Sequence, residues 1–116
     1  MNQISLPVAR DLWSKLLNER TPLRVLLVTT SGVRVRLPGF IDSITPARGL
    51  MISVSGPPVD ATRGLLSWPL ADRDCEFLYG EQRELPEEDR TSNVDESVLI
   101  LHCRVSGEKL MLFFTV

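Results

Sequence analysis

From Val33 to Leu37 apolar and charged residues alternate one for one, with Arg34 and Arg36 set between Val33, Val35 and Leu37. A period of two is that of a half-buried strand, and it predicts valines turned inward and arginines in water. The strand is expected to run Val33–Ser43 and to bend at Pro38-Gly39, where proline removes a ladder donor and glycine adds freedom. It forms the middle of a three-strand run. Leu23–Thr30 precedes it across a turn at Ser31-Gly32, and Leu50–Ser55 follows the loop Thr45–Gly49. Ahead of these strands the spacing is helical. Val8, Leu12 and Leu16, flanked by Ala9, Trp13 and Leu17, share one side, while Arg10, Asp11, Lys15 and Asn18 take the other. A helix over about 6–19 is predicted, capped by Ser5, with Pro7 in its first turn and Thr21-Pro22 as its stop. It is expected to cover one open end of a barrel.

Beyond Ser55 the pattern predicts a short edge strand or extended segment at Leu65–Leu70 and a strand at Cys75–Tyr79. Gly80–Ser97 is polar, mostly acidic and poor in apolar residues, and reads as a mobile loop over about 80–97. Val98–Val105 and Lys109–Val116 flank the turn Ser106-Gly107-Glu108 and form a closing hairpin. In the last strand Leu110, Leu112 and Phe114 share one face and Met111, Phe113 and Thr115 the other. Two apolar faces call for cover on both sides, by the helix or by a second copy of the protein.

The 116 residues make room for one domain, 1–116, whose 43% apolar content suits a globular core. No apolar run approaches the roughly 20 residues of a membrane span, and MNQISLPVARDLW lacks the basic start and long apolar core of a signal peptide. The expectation is a cytoplasmic protein without membrane insertion. Cys75 and Cys103 lie far apart in sequence, with no spacing that suggests zinc, and read as small core residues in preference to a disulfide.

Chemistry narrows the picture further. His102 is the single histidine, and its neighbour Cys103 points to the opposite face of the same strand, so the two make no nucleophile pair. A pairing of His102 with Cys75 stays open, beside the plainer reading of a structural histidine. Paired carboxylates occur only in the acidic stretch, where nothing desolvates them enough to tune a pKa. The chain reads as a non-enzyme with no cofactor. Its net charge of −2 divides into +4 over residues 1–50 and −6 over the rest. Nucleic-acid binders are usually far more basic. Arg34, Arg36 and Arg48 form the candidate partner surface, open to an acidic protein or to the acidic half of a second copy in a homo-oligomer. The plainer alternative is a solvated strand face.

Three family resemblances follow from particular residues. Gly32, Gly39, Ile41, Ile44, Gly49, Leu50 and Ile52 loosely trace the first motif of Sm-like RNA-binding proteins, and Arg104 and Gly107 echo the second. Arg20-Thr21-Pro22-Leu23-Arg24 matches the RxxxR half of a PilZ domain, in which arginines hold cyclic di-GMP. The DxSxxG half is not met. The resemblance that spans most of the chain rests on Val8–Leu17, on Arg20–Val25, on Ile41–Pro46 followed by Gly49–Ile52, and on the closing Val105–Phe114. In these segments the sequence resembles the N-terminal domain of flagellar brake proteins of the YcgR type, the domain that precedes PilZ. The PilZ half would begin where this sequence stops, at Val116. The resemblance implies an all-β, small split β-barrel of about six to seven antiparallel strands with an N-terminal helix. It also implies a regulatory, protein-interaction role in cyclic di-GMP-linked control of motility or surface behaviour. The alternatives are a PilZ-like barrel binding cyclic di-GMP through Arg20 and Arg24, and an Sm-like RNA-binding barrel.

Overall fold

Ser5 starts the helix by accepting a hydrogen bond from the Val8 amide at 3.5 Å, with Pro7 in the first turn where its missing N–H costs nothing. The computed structural model describes residues 1–45, 49–56, 62–68, 74–91, 93 and 95–115. Its elements are β1 (Asn2–Ile4), α1 (Leu6–Asn18), β2 (Leu23–Val28), β3 (Arg34–Thr45), β4 (Gly49–Gly56), β5 (Thr62–Trp68), β6 (Cys75–Glu81), β7 (Ser97–Cys103) and β8 (Lys109–Phe114). Helix α1 stops one step before the expected Thr21-Pro22. Arg20 adopts a left-handed φ of +49°, its amide donates to the Leu17 carbonyl at 3.2 Å, and the Thr21 amide reaches back to Leu16 at 3.0 Å. That is a Schellman motif with arginine where glycine is usual. Ala9, Trp13 and Leu16 are buried, whereas Val8, expected on the apolar stripe, is exposed.

All eight strands join one antiparallel sheet in the order β1-β6-β7-β8-β2-β3-β4-β5. Six to seven strands were expected. The addition is β1, three residues of Asn-Gln-Ile with too little pattern to signal a strand, paired to β6 at Asn2 and Tyr79. Strands β1 and β5 are the outer members, and the described residues form an open sheet, not a closed barrel. Strand β3 runs unbroken through Pro38 and Gly39, and its irregularity falls at Asp42, between Ile41 and Ser43. Gly39 has a different task from bending. A Cβ there would stand 2.5 Å from the Ser53 carbonyl oxygen of β4. Among the described residues no helix is long and apolar enough to cross a membrane.

Strands β7, β8 and β2, in the middle of the sheet, are buried on both faces. On one, α1 packs over Leu23, Val25, Ile41, Leu50, Ile52, Trp68, Phe77, Leu99, Leu112 and others in a single core, with Trp13 edge-on to Phe77 at 5.7 Å. On the other, Leu26, Val98, Ile100, Met111 and Phe113 form a second cluster closed by Leu85. The two-sided cover expected for the last strand is therefore present. Its second layer is the acidic stretch of the same chain.

In that stretch, read from the sequence as a mobile loop, several described residues pack against the sheet. Gly80 and Glu81 belong to β6, and Gln82–Glu84 and Glu87–Asp89 form 3-10 turns. Gln82, Leu85, Asp89 and Glu96 are buried. The Gln82 side-chain amide donates to Thr91 Oγ1 at 2.8 Å and to the Asn93 carbonyl, and its oxygen accepts from the Thr91 amide. One leucine plus one satisfied amide fasten the segment across the sheet as a strap.

The alternation at the start of β3 holds for the arginines, which are exposed as expected, but not for the valines. Val33 and Val35 are 55% and 38% exposed. Burial along the facing strand fades from Leu23 and Val25 to Leu27, towards the hairpin end, so the valines lie beyond the core. Arg34 and Arg36 stand on the other face, exposed but hydrogen-bonded to the strap's side chains and backbone.

Candidate functional site

Register gathers the arginines. Across β2 and β3, Arg24 faces Pro38, Leu26 faces Arg36 and Val28 faces Arg34, so all three guanidinium groups rise from the face the strap crosses. Arg34 is the strap's anchor. Its Nε donates to Asp89 Oδ1 at 2.8 Å and its Nη2 to Glu88 Oε1 at 3.0 Å. The Asp89 hydrogen bond, helped by the charges of Asp89 and Glu88, raises the Arg34 pKa above its ordinary value. Arg24 Nη1 lies 3.4 Å from Glu96 Oε1, a carboxylate only 5% exposed that also accepts from Thr91. At the strap's start the chain's own ammonium terminus meets Glu84 at 2.8 Å. That hydrogen bond is the chief reason the Glu84 carboxyl titrates below its usual range, against an opposing effect of burial.

Two arginines are held differently. Arg36 Nη2 donates to the Glu88 backbone carbonyl at 2.7 Å. Arg90 donates through Nε to the Leu85 carbonyl at 3.0 Å and through Nη2 to the Arg83 carbonyl at 2.8 Å. Carbonyls position a guanidinium without cancelling its charge, and among the described residues neither arginine has a carboxylate partner. Between strap and sheet lies a groove of about 490 Å³ lined by Arg24, Arg36 and Arg90 with Pro38, Thr91 and Phe113. No carboxylate lines it among the described residues. An adjoining hollow of about 420 Å³ shares Arg24 and Pro38 and carries Glu96 and Asn93 on its wall. Planar forks with donors to spare suit a carboxylate or phosphate, which they grip in two-point fashion.

The sequence-derived candidates are distributed unevenly around this groove. Arg24 and Arg36 line it. Arg20 does not, and its place is the exposed, left-handed end of α1. Arg34 is committed to the strap, and Arg48 lies outside the described residues. Arg90 was missed, since it sits in a stretch read as one acidic loop. The signal available was a basic residue followed by Thr91 amid carboxylates, which carries little weight until the strap is folded.

The remaining candidate chemistry separates in space. His102 faces Glu76 across the β6–β7 ladder, with Nδ1 3.5 Å from Oε2, while Cys75 faces Cys103. Cys75 and His102 thus project to opposite sides of the sheet, which closes the pairing the sequence left open. No group of three or more His, Cys, Asp or Glu among the described residues has the arrangement to hold a metal ion. Comparison with family models, with curated proteins and with solved structures finds no match to this chain.

Proposed function

We propose that the chain is a non-catalytic protein-interaction module that receives an acidic segment of its partner in the groove between strap and sheet. The observation that carries this reading is the lining itself: Arg24, which pairs with Glu96, and Arg36 and Arg90, which are tethered only through carbonyls, with no carboxylate in the groove's wall among the described residues. Charge held in place before the partner arrives favours fast and selective association. The fold that goes with this reading is a split barrel like the N-terminal domain of brake proteins of the YcgR type. Its support is the leading helix, and one core cluster that draws on Leu50, Ile52 and Trp68 from one end of the sheet and on Phe77 and Leu99 from the other. In that setting the module serves cyclic di-GMP-linked control of motility or surface behaviour.

The test uses a labelled decaglutamate peptide as a generic acidic segment, titrated by fluorescence anisotropy at low and rising salt. Saturable binding is expected, weakening with salt. The double variant Arg36→Glu/Arg90→Glu should reduce affinity at least about tenfold, or about 1.4 kcal/mol. The control Arg10→Glu/Lys15→Glu, on the exposed side of α1, changes the net charge equally and should retain binding. Equal losses in both variants, with circular dichroism unchanged, would reduce the groove to part of a general charge effect.

A second reading is favoured by one placement: Arg24, from the RxxxR pair, lines the groove. It makes the chain a PilZ-like receptor for cyclic di-GMP. Calorimetric titration with that nucleotide is expected to show no saturable binding. Binding that disappears in Arg20→Ala/Arg24→Ala would put this reading first.

A further inference from the structure

The chain has two cysteines, Cys75 and Cys103, with 27 residues between them, and the sheet sets them directly opposite each other on β6 and β7. The phase of the ladder fixes the kind of pair they make. One step outward, the Arg104 amide donates to the Asp74 carbonyl at 2.9 Å, so 74 and 104 form a hydrogen-bonded pair. The Cys103 amide instead turns to the other neighbour and donates to the Glu108 carbonyl at 2.9 Å. Hydrogen-bonded and non-hydrogen-bonded pairs alternate along an antiparallel ladder, which makes Cys75 and Cys103 a non-hydrogen-bonded pair. At such sites Cα atoms stand about 4.5 Å apart and the two side chains share one face. That separation falls within the roughly 4.4–6.8 Å a disulfide bridges, at its short end.

We propose that Cys75 and Cys103 form an oxidative modification site, a cross-strand dithiol that a small-molecule disulfide converts to an intramolecular disulfide. The two positions have different roles. Cys103 is partly exposed, whereas Cys75 is buried. A hydrogen bond from Ser106 is the main influence lowering the Cys103 pKa, outweighing burial and the charge of Asp74. Cys103 is therefore the attacking thiolate. It displaces one thiolate from the small disulfide and forms a mixed disulfide. Cys75 then gives up its proton and attacks the Cys103 sulfur, releasing the second thiolate. Two protein thiols are oxidised to one disulfide, the reagent is reduced to two thiols, and the two protons end on those products.

The location gives the cross-link a consequence. Between the two cysteines the chain runs out along β6, through the strap and back along β7. The bond would close a loop that contains the strap and Arg90, so oxidation restricts the segment that walls the groove.

The experiment treats the full chain, under native conditions, with oxidised glutathione, followed by alkylation, mass spectrometry and non-reducing peptide mapping. Expected are the loss of both alkylatable thiols, a monomer lighter by two hydrogens, and one linked peptide pair holding Cys75 and Cys103. Dithiothreitol should restore both thiols. In Cys75→Ser the remaining Cys103 should accumulate as a stable mixed disulfide with glutathione. In Cys103→Ser the buried Cys75 should react at least tenfold more slowly. Persistence of both thiols in the folded wild type, or linkage only between two molecules, would overturn the proposal. Equal reactivity of the single variants would overturn the assigned order of attack. The wild-type peptide map decides the pairing even where a variant fails to fold.

Discussion

Truncating Leu85 to alanine withdraws the side chain by which the strap enters the second core. Leu85 is 6% exposed and closes a cluster whose members Leu26, Val98 and Phe113 are fully buried. Deleting a buried leucine down to its Cβ costs about 2–5 kcal/mol, the spread depending on how far the surroundings collapse into the space. The strap is a surface segment with backbone free to settle, which places Leu85→Ala near the lower end, about 2–3 kcal/mol. Against a typical total stability of about 5–15 kcal/mol that is a large fraction. With a urea slope of about 1.5 kcal/mol/M, a usual value for a small domain, the unfolding midpoint should fall by about 1–2 M. The assay is urea titration followed by tryptophan fluorescence, since Trp13 and Trp68 are buried in the other core and report global unfolding. Native-state hydrogen exchange adds a local reading at the Asp89 and Arg90 amides, which bond to Pro86 and Glu87 carbonyls within the strap. A midpoint shift equivalent to less than about 0.5 kcal/mol, with those amides exchanging as in the parent, would refute the packing role. The strap would then be a dispensable surface loop.

Two further outcomes follow from the helix end and the chain start. Arg20→Gly should stabilise the protein by about 0.5–1 kcal/mol in denaturant titration, because glycine meets the +49° φ without the steric cost a side chain carries there; a loss of stability would mean the arginine side chain contributes more than its backbone costs. Glu84, with its carboxyl pKa lowered by the terminal ammonium, adds stability that is present above its ordinary value of 4.5 and is lost as pH falls through its folded value. Glu84→Gln should therefore flatten the acid limb of the stability profile, and an unchanged limb by thermal melts across acid pH would remove the linkage.

What the sequence disclosed and what it hid divide along physical lines. Periodic signals were legible: the 3.6-residue stripe gave α1 with its Ser5 cap, and the apolar runs located β2, β4, β6, β7 and β8 within a few residues. The groove was half legible, since Arg24 and Arg36 were candidates and Arg90 was not. The strap was hidden because burial there depends on single residues. One leucine and one glutamine whose amide is fully satisfied leave no period for a pattern to reveal. The inward direction of Val33 and Val35 failed for another reason. Alternation assigns residues to two faces, yet it does not say where along a strand the core ends, and these valines lie at the hairpin end, where burial on the facing β2 has faded. The facing cysteines were similarly beyond reach, since register is a property of two strands together.

The uneven charge of the two halves of the sequence has a resolution within one molecule. Opposite patches suggested head-to-tail contact between copies, with Arg34 and Arg36 offered to another chain's acidic stretch. In the fold, Arg34 meets Glu88 and Asp89 of its own chain, and Arg24 meets its own Glu96. Asp89 is 8% exposed against 36% for Arg34, so their bond is screened less than a fully exposed pair, while Glu88, 65% exposed, gains little from the same arginine. Copies associating through these charges would first have to give up contacts already made internally. The positive charge left over is that of Arg36 and Arg90, whose partners are backbone carbonyls of the strap. The strap thus does two things at once. It neutralises the arginine that holds it, and it fixes two others beside an open groove without neutralising them. Under the proposed reading that charge is what an anionic partner would meet, and among the described residues no carboxylate pairs with either arginine.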